Sequence, residues 1–145
     1  MGTLVAAARE SVATVGPWLP WCHEGYNRHE AEAWIDTCSR NRRVGLAYEF
    51  GLFTEDETTL LGGVAINQIN REHNFANLGY WVRQSRQRQG IASRAAMMMA
   101  EFGFEELGLT RLEIVVAEGN HASRRLAEQL NATFEAIAQN RFDLA

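Results

Sequence analysis

The spacing of apolar positions in the first forty residues predicts two helices separated by a loop. The first covers Thr3–Val15 and ends at Gly16-Pro17, because proline lacks the amide proton that a helix interior needs. The second covers Arg28–Arg40, and its apolar side chains recur at the three- and four-residue spacing of one helix face: Ala31, Trp34, Ile35 and Cys38. The intervening WLPW segment, Trp18–Trp21, is predicted to be a loop.

Three apolar runs in the middle of the chain are typical of strands. Val44–Phe53 and Leu60–Asn70 are joined by the polar turn Glu55–Thr58, and Phe75–Val82 follows as a third strand. The Gly62-Gly63 pair inside the second run predicts a bulge or a close approach of another backbone segment. Together these runs predict an antiparallel meander.

A long helix is predicted from about Gly90, with one buried stripe made of Ile91, Ala95, Met98 and Phe102. The Met97–Met99 run is assigned to the core, and Leu107-Gly108 is a plausible end for this helix.

The rest of the chain predicts strand, helix and strand. Arg111–Glu118 alternates like a strand, a short helix follows to about Leu130, and Asn131 stands where a left-handed residue is expected. Thr133–Phe142 is the last extended segment. The element order predicts one domain, residues 1–145, of the α+β class, with a mixed, mostly antiparallel central sheet flanked by helices.

Charge and composition exclude several classes of protein. The formal net charge is −4, which argues against a general nucleic-acid binder. No apolar run is long enough to span a membrane and no secretion signal is visible, so we expect a cytoplasmic location. Cys22 and Cys38 are expected to be free thiols, and the four histidines show no metal spacing.

The segment RQRQGIAS, Arg86–Ser93, places basic residues and a glycine at the start of the long helix. A helix N-terminus leaves backbone amides unpaired and carries partial positive charge. Glycine at that point lets a ligand approach the backbone closely. The segment therefore predicts a phosphate or pyrophosphate cradle, although a solvated loop before an ordinary helix start fits it as well.

Three further stretches accompany this segment. WLPW and ANLGYWV precede it in the chain, and RLEIVVAEGNHASRRLAEQL follows it. With Gln87-Arg88-Gln89-Gly90-Ile91-Ala92, which resembles the Q/R-x-x-G-x-G/A signature, they make the chain similar to the GNAT acetyltransferases. The similarity covers nearly the whole chain. It is closest to the branch that contains the Rim-type ribosomal-protein N-terminal acetyltransferases.

This resemblance implies a cofactor site for acetyl-CoA, with no metal. The backbone amides that would hold the pyrophosphate are those of Gln87, Arg88, Gln89, Gly90, Ile91 and Ala92. The backbone that would pair with the pantetheine arm, as an added strand, belongs to Trp81, Val82 and Arg83. Asn120 and Ser123 match positions that contact the cofactor near its sulfur, and they are the candidate catalytic residues.

The same residues have plainer interpretations. Asn120 is a favoured helix cap, which is compatible with cofactor contact, and Ser123 also suits the first turn of a helix. The WLPW loop either lines the acceptor cleft or packs between the first two helices.

The implied reaction is acetyl transfer from acetyl-CoA to a primary amine by direct attack. A protein or peptide N-terminus is the favoured acceptor, since an α-amine has a pKa near 8 and is partly neutral at pH 7. A small-molecule amine is an alternative. Glu49 and Glu72 are candidate carboxylates for the amine proton, and Ser123 would donate a hydrogen bond to the leaving thiolate.

The chain departs from the family at both ends. Relatives begin with a strand before the first helix and carry another after Thr133–Phe142, so we expect shortened N- and C-terminal ends. Relatives also read L-G-F where this chain has Leu130-Asn131-Ala132. A missing strand would expose a sheet edge, from which a homodimer is expected. It also leaves open a noncatalytic acyl-CoA-binding or assembly module.

Overall fold

The computed structural model describes residues 2–139 and 141. Within these residues four helices and four strands succeed one another, with a 3₁₀ turn, Gln84–Arg86, before the third helix. The helices are α1 (Gly2–Glu10), α2 (Arg28–Val44), α3 (Ile91–Glu105) and α4 (His121–Gln129). The strands are β1 (Tyr48–Phe53), β2 (Leu60–Asn70), β3 (Phe75–Val82) and β4 (Arg111–Glu113).

The strands form one mixed sheet in the order β1-β2-β3-β4. The first three are antiparallel, and β4 runs parallel to β3. On one face the sheet packs against α3 in the larger core, which includes Ile66, Leu78 and Met99. A smaller core links α1, α2 and the loop between them, and Trp81 of β3 packs against it. The predicted α+β fold class is confirmed.

Local predictions for β2 and β3 agree with the structure at both ends. The predicted close approach at Gly62-Gly63 is also present. A Cβ on Gly62 would lie 2.1 Å from the Trp81 carbonyl oxygen. The two strands can therefore approach this closely only because Gly62 has no side chain. Asn131 adopts the expected left-handed conformation, with φ 61°.

Helix α1 and strand β4 are shorter than predicted. The helix ends at Glu10 instead of Val15, and the Ser11 hydroxyl donates to the Ala7 carbonyl at 2.6 Å just beyond its end. Helix α2 continues to Val44 instead of ending at Arg40, and Gly45 caps it with φ 75°. The ladder of β4 stops at Glu113 instead of Glu118 because its last pairing with β3 is Asn77–Glu113.

The predicted buried stripe on α3 is wrong at one position, and so is the core assignment of the methionine run. Met97 and Met98 are 62% and 72% exposed, and only Met99 of the run is in the core. The helix buries Ala95, Ala96, Met99 and Gly103 instead. Since consecutive methionines point 100° apart on a helix, three in a row cannot all face one sheet.

The predicted strand after Thr133 is not formed over residues 133–139, and Phe142 lies outside the described residues.

Candidate active site

Strands β3 and β4 separate after a short pairing and leave part of the edge of β3 open. Their last paired residues are Asn77 and Glu113, while β3 continues to Val82. The Arg83 amide donates to the Leu61 carbonyl of β2 at 2.8 Å. Because backbone groups alternate between the two sides of a strand, Trp81 also points to β2. Val82 and Tyr80 point to the open edge.

This alternation revises the expected pairing of a cofactor with Trp81, Val82 and Arg83, since only Val82 faces the open edge. The Arg83 side chain is also occupied: it donates to both carboxylate oxygens of Glu10, at 2.8 and 3.1 Å, and to the Leu60 carbonyl at 3.0 Å. The hydrogen bond from Arg83, aided by those from Ser85, lowers the pKa of Glu10 to about 2. Arg83 therefore fastens α1 to the start of the cradle.

The cradle predicted at Gln87–Ala92 has the backbone shape of an anion site. Arg88 and Gly90 adopt left-handed conformations, with φ 65° and 76°, and α3 begins at Ile91. Over the described chain, no hydrogen bond uses the amides of residues 88–93. A Cβ on Gly90 would meet nothing within 4 Å. Six adjacent amides, three of them in the first turn of a helix, are therefore free to bind an anion.

The side chains of the cradle divide into two groups. The side-chain amide of Gln87 donates to the Val82 carbonyl at 3.0 Å and to the Thr14 hydroxyl at 3.2 Å. The Gln87 backbone amide donates to the Gln84 carbonyl at 3.5 Å, so, contrary to expectation, it is not among the free amides, and Gln87 shapes the loop from within. Arg88, Gln89 and Gly90 are exposed, and two arginines next to this helix start, Arg86 and Arg88, line the cleft.

The two candidate catalytic residues meet at the start of α4. Asn120 caps the helix, its side-chain oxygen accepting from the Ser123 amide at 3.3 Å. The Ser123 hydroxyl donates to the Tyr80 hydroxyl at 3.2 Å, and the Tyr80 hydroxyl donates to the Ser123 carbonyl at 3.2 Å. Burial raises the pKa of Tyr80, so it remains a phenol at neutral pH. The sequence did not indicate a role for Tyr80, since a tyrosine in an apolar strand is typical of a core residue.

One continuous cleft of about 1550 Å³ joins these parts. It is lined by the cradle, by residues 114–117 beyond β4, by Asn120 and Ser123, and by the α1–α2 loop. In that loop Trp21 packs edge-on against Trp81 with ring centres 5.1 Å apart, and Leu19 packs against the smaller core. The WLPW segment therefore serves as both cleft wall and packing joint.

The far end of the cleft lies between α2 and the sheet. Glu49 lines it together with Trp34, Ile35 and Cys38 of α2. The floor is made of small residues in register across three strands, namely Gly51 beside Gly63 and Ala65 beside Gly79. Glu72, the other candidate carboxylate, is exposed in the β2–β3 turn and is not among the cleft residues. The apolar face of α2 that the sequence predicted therefore forms a wall of this cleft, through Trp34, Ile35 and Cys38.

The described chain holds neither a membrane-spanning helix nor a metal cluster. Within residues 2–139 and 141, no helix is long and apolar enough to cross a membrane. Over the same residues, no cluster of three or more His, Cys, Asp or Glu is placed to hold a metal ion.

The acetyltransferase (GNAT) domain model matches residues 2–133. The chain belongs to this family. The open edge of β3, the loop before α3 and the Asn120–Ser123 corner of α4 all lie within the matched residues.

Three relatives illustrate this similarity. A structure provisionally named a ribosomal-protein-serine acetyltransferase, from Vibrio cholerae, is 40% identical, with a TM-score of 0.87 over 97% of this chain and 78% of that one. The ribosomal-protein-serine acetyltransferase of Escherichia coli K12 is 34% identical over 83 residues, 57% of this chain and 45% of that protein. These two relatives support the Rim-type branch.

The third relative shares the fold at low sequence identity. The microcin C7 self-immunity acetyltransferase, solved with acetyl-CoA and AMP, has a TM-score of 0.87 at 19% identity, over 99% of this chain and 78% of that one. By contrast, the chain spans about half the length of the curated relatives it matches.

Proposed function

We propose that this protein is an acetyl-CoA-dependent N-acetyltransferase that acetylates a primary amine, with the N-terminal α-amine of a protein or peptide as the favoured acceptor. The observation that carries the proposal is the cleft that runs from the free amides of the cradle, past the open edge of β3, to Glu49. Relatives named for acetylating a ribosomal-protein serine support the choice of acceptor, and with it a cytoplasmic location.

In this proposal the cradle binds the pyrophosphate of acetyl-CoA. The amides of residues 88–93 supply the hydrogen bonds, and Arg88 adds positive charge. The pantetheine arm pairs with the open edge of β3 at Tyr80 and at the Val82 amide, since the Val82 carbonyl already accepts from Gln87. A relative of the same fold was solved with acetyl-CoA bound, which supports this assignment.

The acceptor nitrogen attacks the thioester carbon, so a C–N bond forms and the C–S bond breaks. The leaving thiolate takes up a proton, and one proton from the original ammonium is released. Ser123 turns its hydroxyl from Tyr80 to the thiolate, and Tyr80 holds Ser123 in place through the Ser123 carbonyl. Asn120 fixes the position of Ser123 by capping α4.

Calorimetric titration of acetyl-CoA into the purified chain, followed by release of CoA thiol with added amines, tests this function. Micromolar binding with amine-dependent thiol release is the expected result. Binding without turnover on peptides or small amines would favour the noncatalytic acyl-CoA-binding module. No binding at millimolar ligand would overturn the cradle assignment. The expected homodimer stays a prediction, which sedimentation of the same sample tests.

A further inference from the structure

Glu49 is a half-buried carboxylate at the acceptor end of the cleft, and among the described residues the groups that donate to it are uncharged. One oxygen accepts from the Cys38 thiol at 3.0 Å and the other from the Asn67 amide at 3.4 Å. In the described part of the chain no arginine or histidine lies within 4.0 Å of this carboxylate. Such a charge is costly to bury without a counter-ion.

The cation adjacent to Glu49 on α2 is directed elsewhere. Arg42 donates to the backbone carbonyl of Glu49 at 3.0 Å. Its guanidinium lies 4.2 Å from the ring centre of Phe50. Arg42 is therefore near Glu49 but does not form a salt bridge with its carboxylate.

The donors around Glu49 form an ordered chain across the floor of the sheet. Asn77 donates to the Asn67 side-chain oxygen at 2.9 Å, and Asn67 donates onward to Glu49. From the side of α2, Cys38 completes the set. Burial, with the nearby Glu49 carboxylate, raises the pKa of Cys38 to about 12, so the thiol stays a neutral donor. The set fixes the orientation of the carboxylate without neutralising it.

The surroundings of Glu49 leave room for a ligand. Glu49 is in register with Ala65 of β2, and Ala65 with Gly79 of β3. Two strand spacings, about 10 Å, therefore separate Glu49 from the strand whose edge is open. The Asn67 amide of β2 donates to the Glu49 carboxylate, so the carboxylate reaches from β1 over β2, and the small residues Ala65 and Gly79 line the cleft between it and the edge.

We infer that Glu49 is the binding site for the ammonium group of the acceptor, and that Cys38 and Asn67 are positioning residues that aim its carboxylate at that group. The inference rests on the proposed function, and it specifies the substrate class as a primary ammonium. An ammonium supplies the cation that Glu49 lacks, through a charge-assisted hydrogen bond. Glu49 then takes one proton from the ammonium, the neutral nitrogen forms the C–N bond, and Glu49 returns the proton to water.

Peptide binding to the CoA-saturated chain tests this inference without turnover. The probes are a serine-initiated tetrapeptide amide and the same peptide acetylated at its N-terminus, titrated by calorimetry. We expect the free amine to bind at least about tenfold more tightly than the acetylated peptide. Glu49→Gln should abolish that preference. Glu72→Gln, which alters a carboxylate outside the cleft, is the matched control and should retain it.

Cys38 is tested by two variants that differ in one donor. Cys38→Ala should reduce the preference for the free amine by between about twofold and tenfold, and Cys38→Ser, which keeps a hydroxyl donor, should restore most of it. Equal losses in both variants would assign Cys38 to packing alone. Circular dichroism of each variant establishes that it is folded.

The outcomes separate this inference from the proposed function. Wild-type thiol release with amines, combined with no preference for the free-amine peptide or with a preference that survives Glu49→Gln, overturns the Glu49 site and leaves the acetyltransferase standing. A Glu49-dependent preference without any thiol release supports the ammonium site and counts against the acetyltransferase.

Discussion

The cofactor end and the acceptor end of the cleft are built from different parts of the polypeptide. At the cofactor end, the proposed binding groups are the backbone amides of six consecutive residues and the backbone edge of β3. At the acceptor end the groups are side chains from α2, β1, β2 and β3, brought together by the fold. One end depends on local backbone conformation and the other on tertiary packing.

This difference predicts how each end responds to substitution. Backbone amides are present whatever the side chains are, so the cofactor end is altered mainly by residues that change conformation or add charge. The acceptor end is altered by ordinary side-chain changes, one donor or acceptor at a time. Substitutions at Gly90, Ser123, Gly79 and Glu10 test this contrast, from the largest expected effect to the smallest.

The largest effect is expected at Gly90. Gly90→Asp places a carboxylate beside the amides that would bind phosphate, and we expect acetyl-CoA affinity to fall at least about 100-fold, or about 2.7 kcal/mol. Calorimetric titration of acetyl-CoA measures the loss. Unchanged affinity would contradict the cradle assignment.

Gly108 provides the matched control for Gly90. It lies just beyond the other end of α3 and also has a positive φ, 67°, and a Cβ on it would likewise meet nothing within 4 Å. Gly108→Asp therefore introduces the same charge and similar backbone strain away from the cleft. We expect it to alter thermal stability about as much as Gly90→Asp and to leave acetyl-CoA affinity unchanged.

The contrast between the two ends also explains what the sequence could predict. The cradle is local: Gly90, the basic residues and the start of α3 are contiguous, so the motif was visible without a structure. The set of Cys38, Glu49 and Asn67 joins three segments through strand register and helix docking. Glu49 was a candidate for accepting the amine proton only because it is a carboxylate, and nothing in the sequence distinguished it from Glu72.

The same contrast between local and tertiary determinants explains which fold predictions succeeded and which failed. Strands β2 and β3 have strong alternation and clear turns, and their ends were predicted correctly. The length of β4 depends on where β3 and β4 separate, which is a tertiary property, so Arg111–Glu118 was predicted as a strand where only Arg111–Glu113 pairs. Met98 was assigned to the core because it follows Ala95 and precedes Phe102 at helical spacing, although it is exposed.

The second prediction concerns Ser123, which lies where the two ends meet. Ser123→Ala removes the proposed donor to the leaving thiolate, so kcat should fall about tenfold, or about 1.4 kcal/mol, with little change in acetyl-CoA affinity. Steady-state kinetics and calorimetry measure the two quantities. Equal loss of turnover and binding would assign Ser123 a structural role.

Tyr80→Phe sharpens the test of Ser123. If Tyr80 acts by holding Ser123 in place, the double variant should lose little more turnover than Ser123→Ala alone. Additive losses would indicate that Tyr80 contributes to the reaction independently of Ser123.

The third prediction uses two glycines of the same sheet. A Cβ on Gly79 would make only an ordinary contact, 3.7 Å from the Asn77 side chain, and it would stand on the cleft floor. Gly79→Ala should therefore raise the acceptor KM about threefold and leave acetyl-CoA affinity and folding nearly unchanged. Gly62→Ala, whose Cβ would lie 2.1 Å from the Trp81 carbonyl oxygen, should instead lower the melting temperature. A Gly79 variant that weakened acetyl-CoA binding as much as acceptor binding would contradict the division of the cleft.

The smallest effect is expected at Glu10, which supports the cofactor end from outside the cleft. Glu10→Gln weakens the ion pair with Arg83, and at neutral pH it should reduce the free energy of unfolding by about 1 kcal/mol, since the pair is partly exposed. The pKa of Glu10 is depressed from 4.5 to about 2 in the folded chain. Its stabilisation is therefore fully present above pH 4.5 and is lost as the pH falls towards 2.

Denaturant unfolding of wild type and Glu10→Gln between pH 7 and pH 2.5 measures this loss, and the difference between the two proteins should shrink across the acid range. Because Ser85 also donates to Glu10, the turn that leads into the cradle should loosen as well. Acetyl-CoA affinity should then fall about threefold while the acceptor KM stays constant. A pH-independent difference in stability would mean that Glu10 acts through packing, and a change confined to the acceptor KM would break the assignment of this ion pair to the cofactor end.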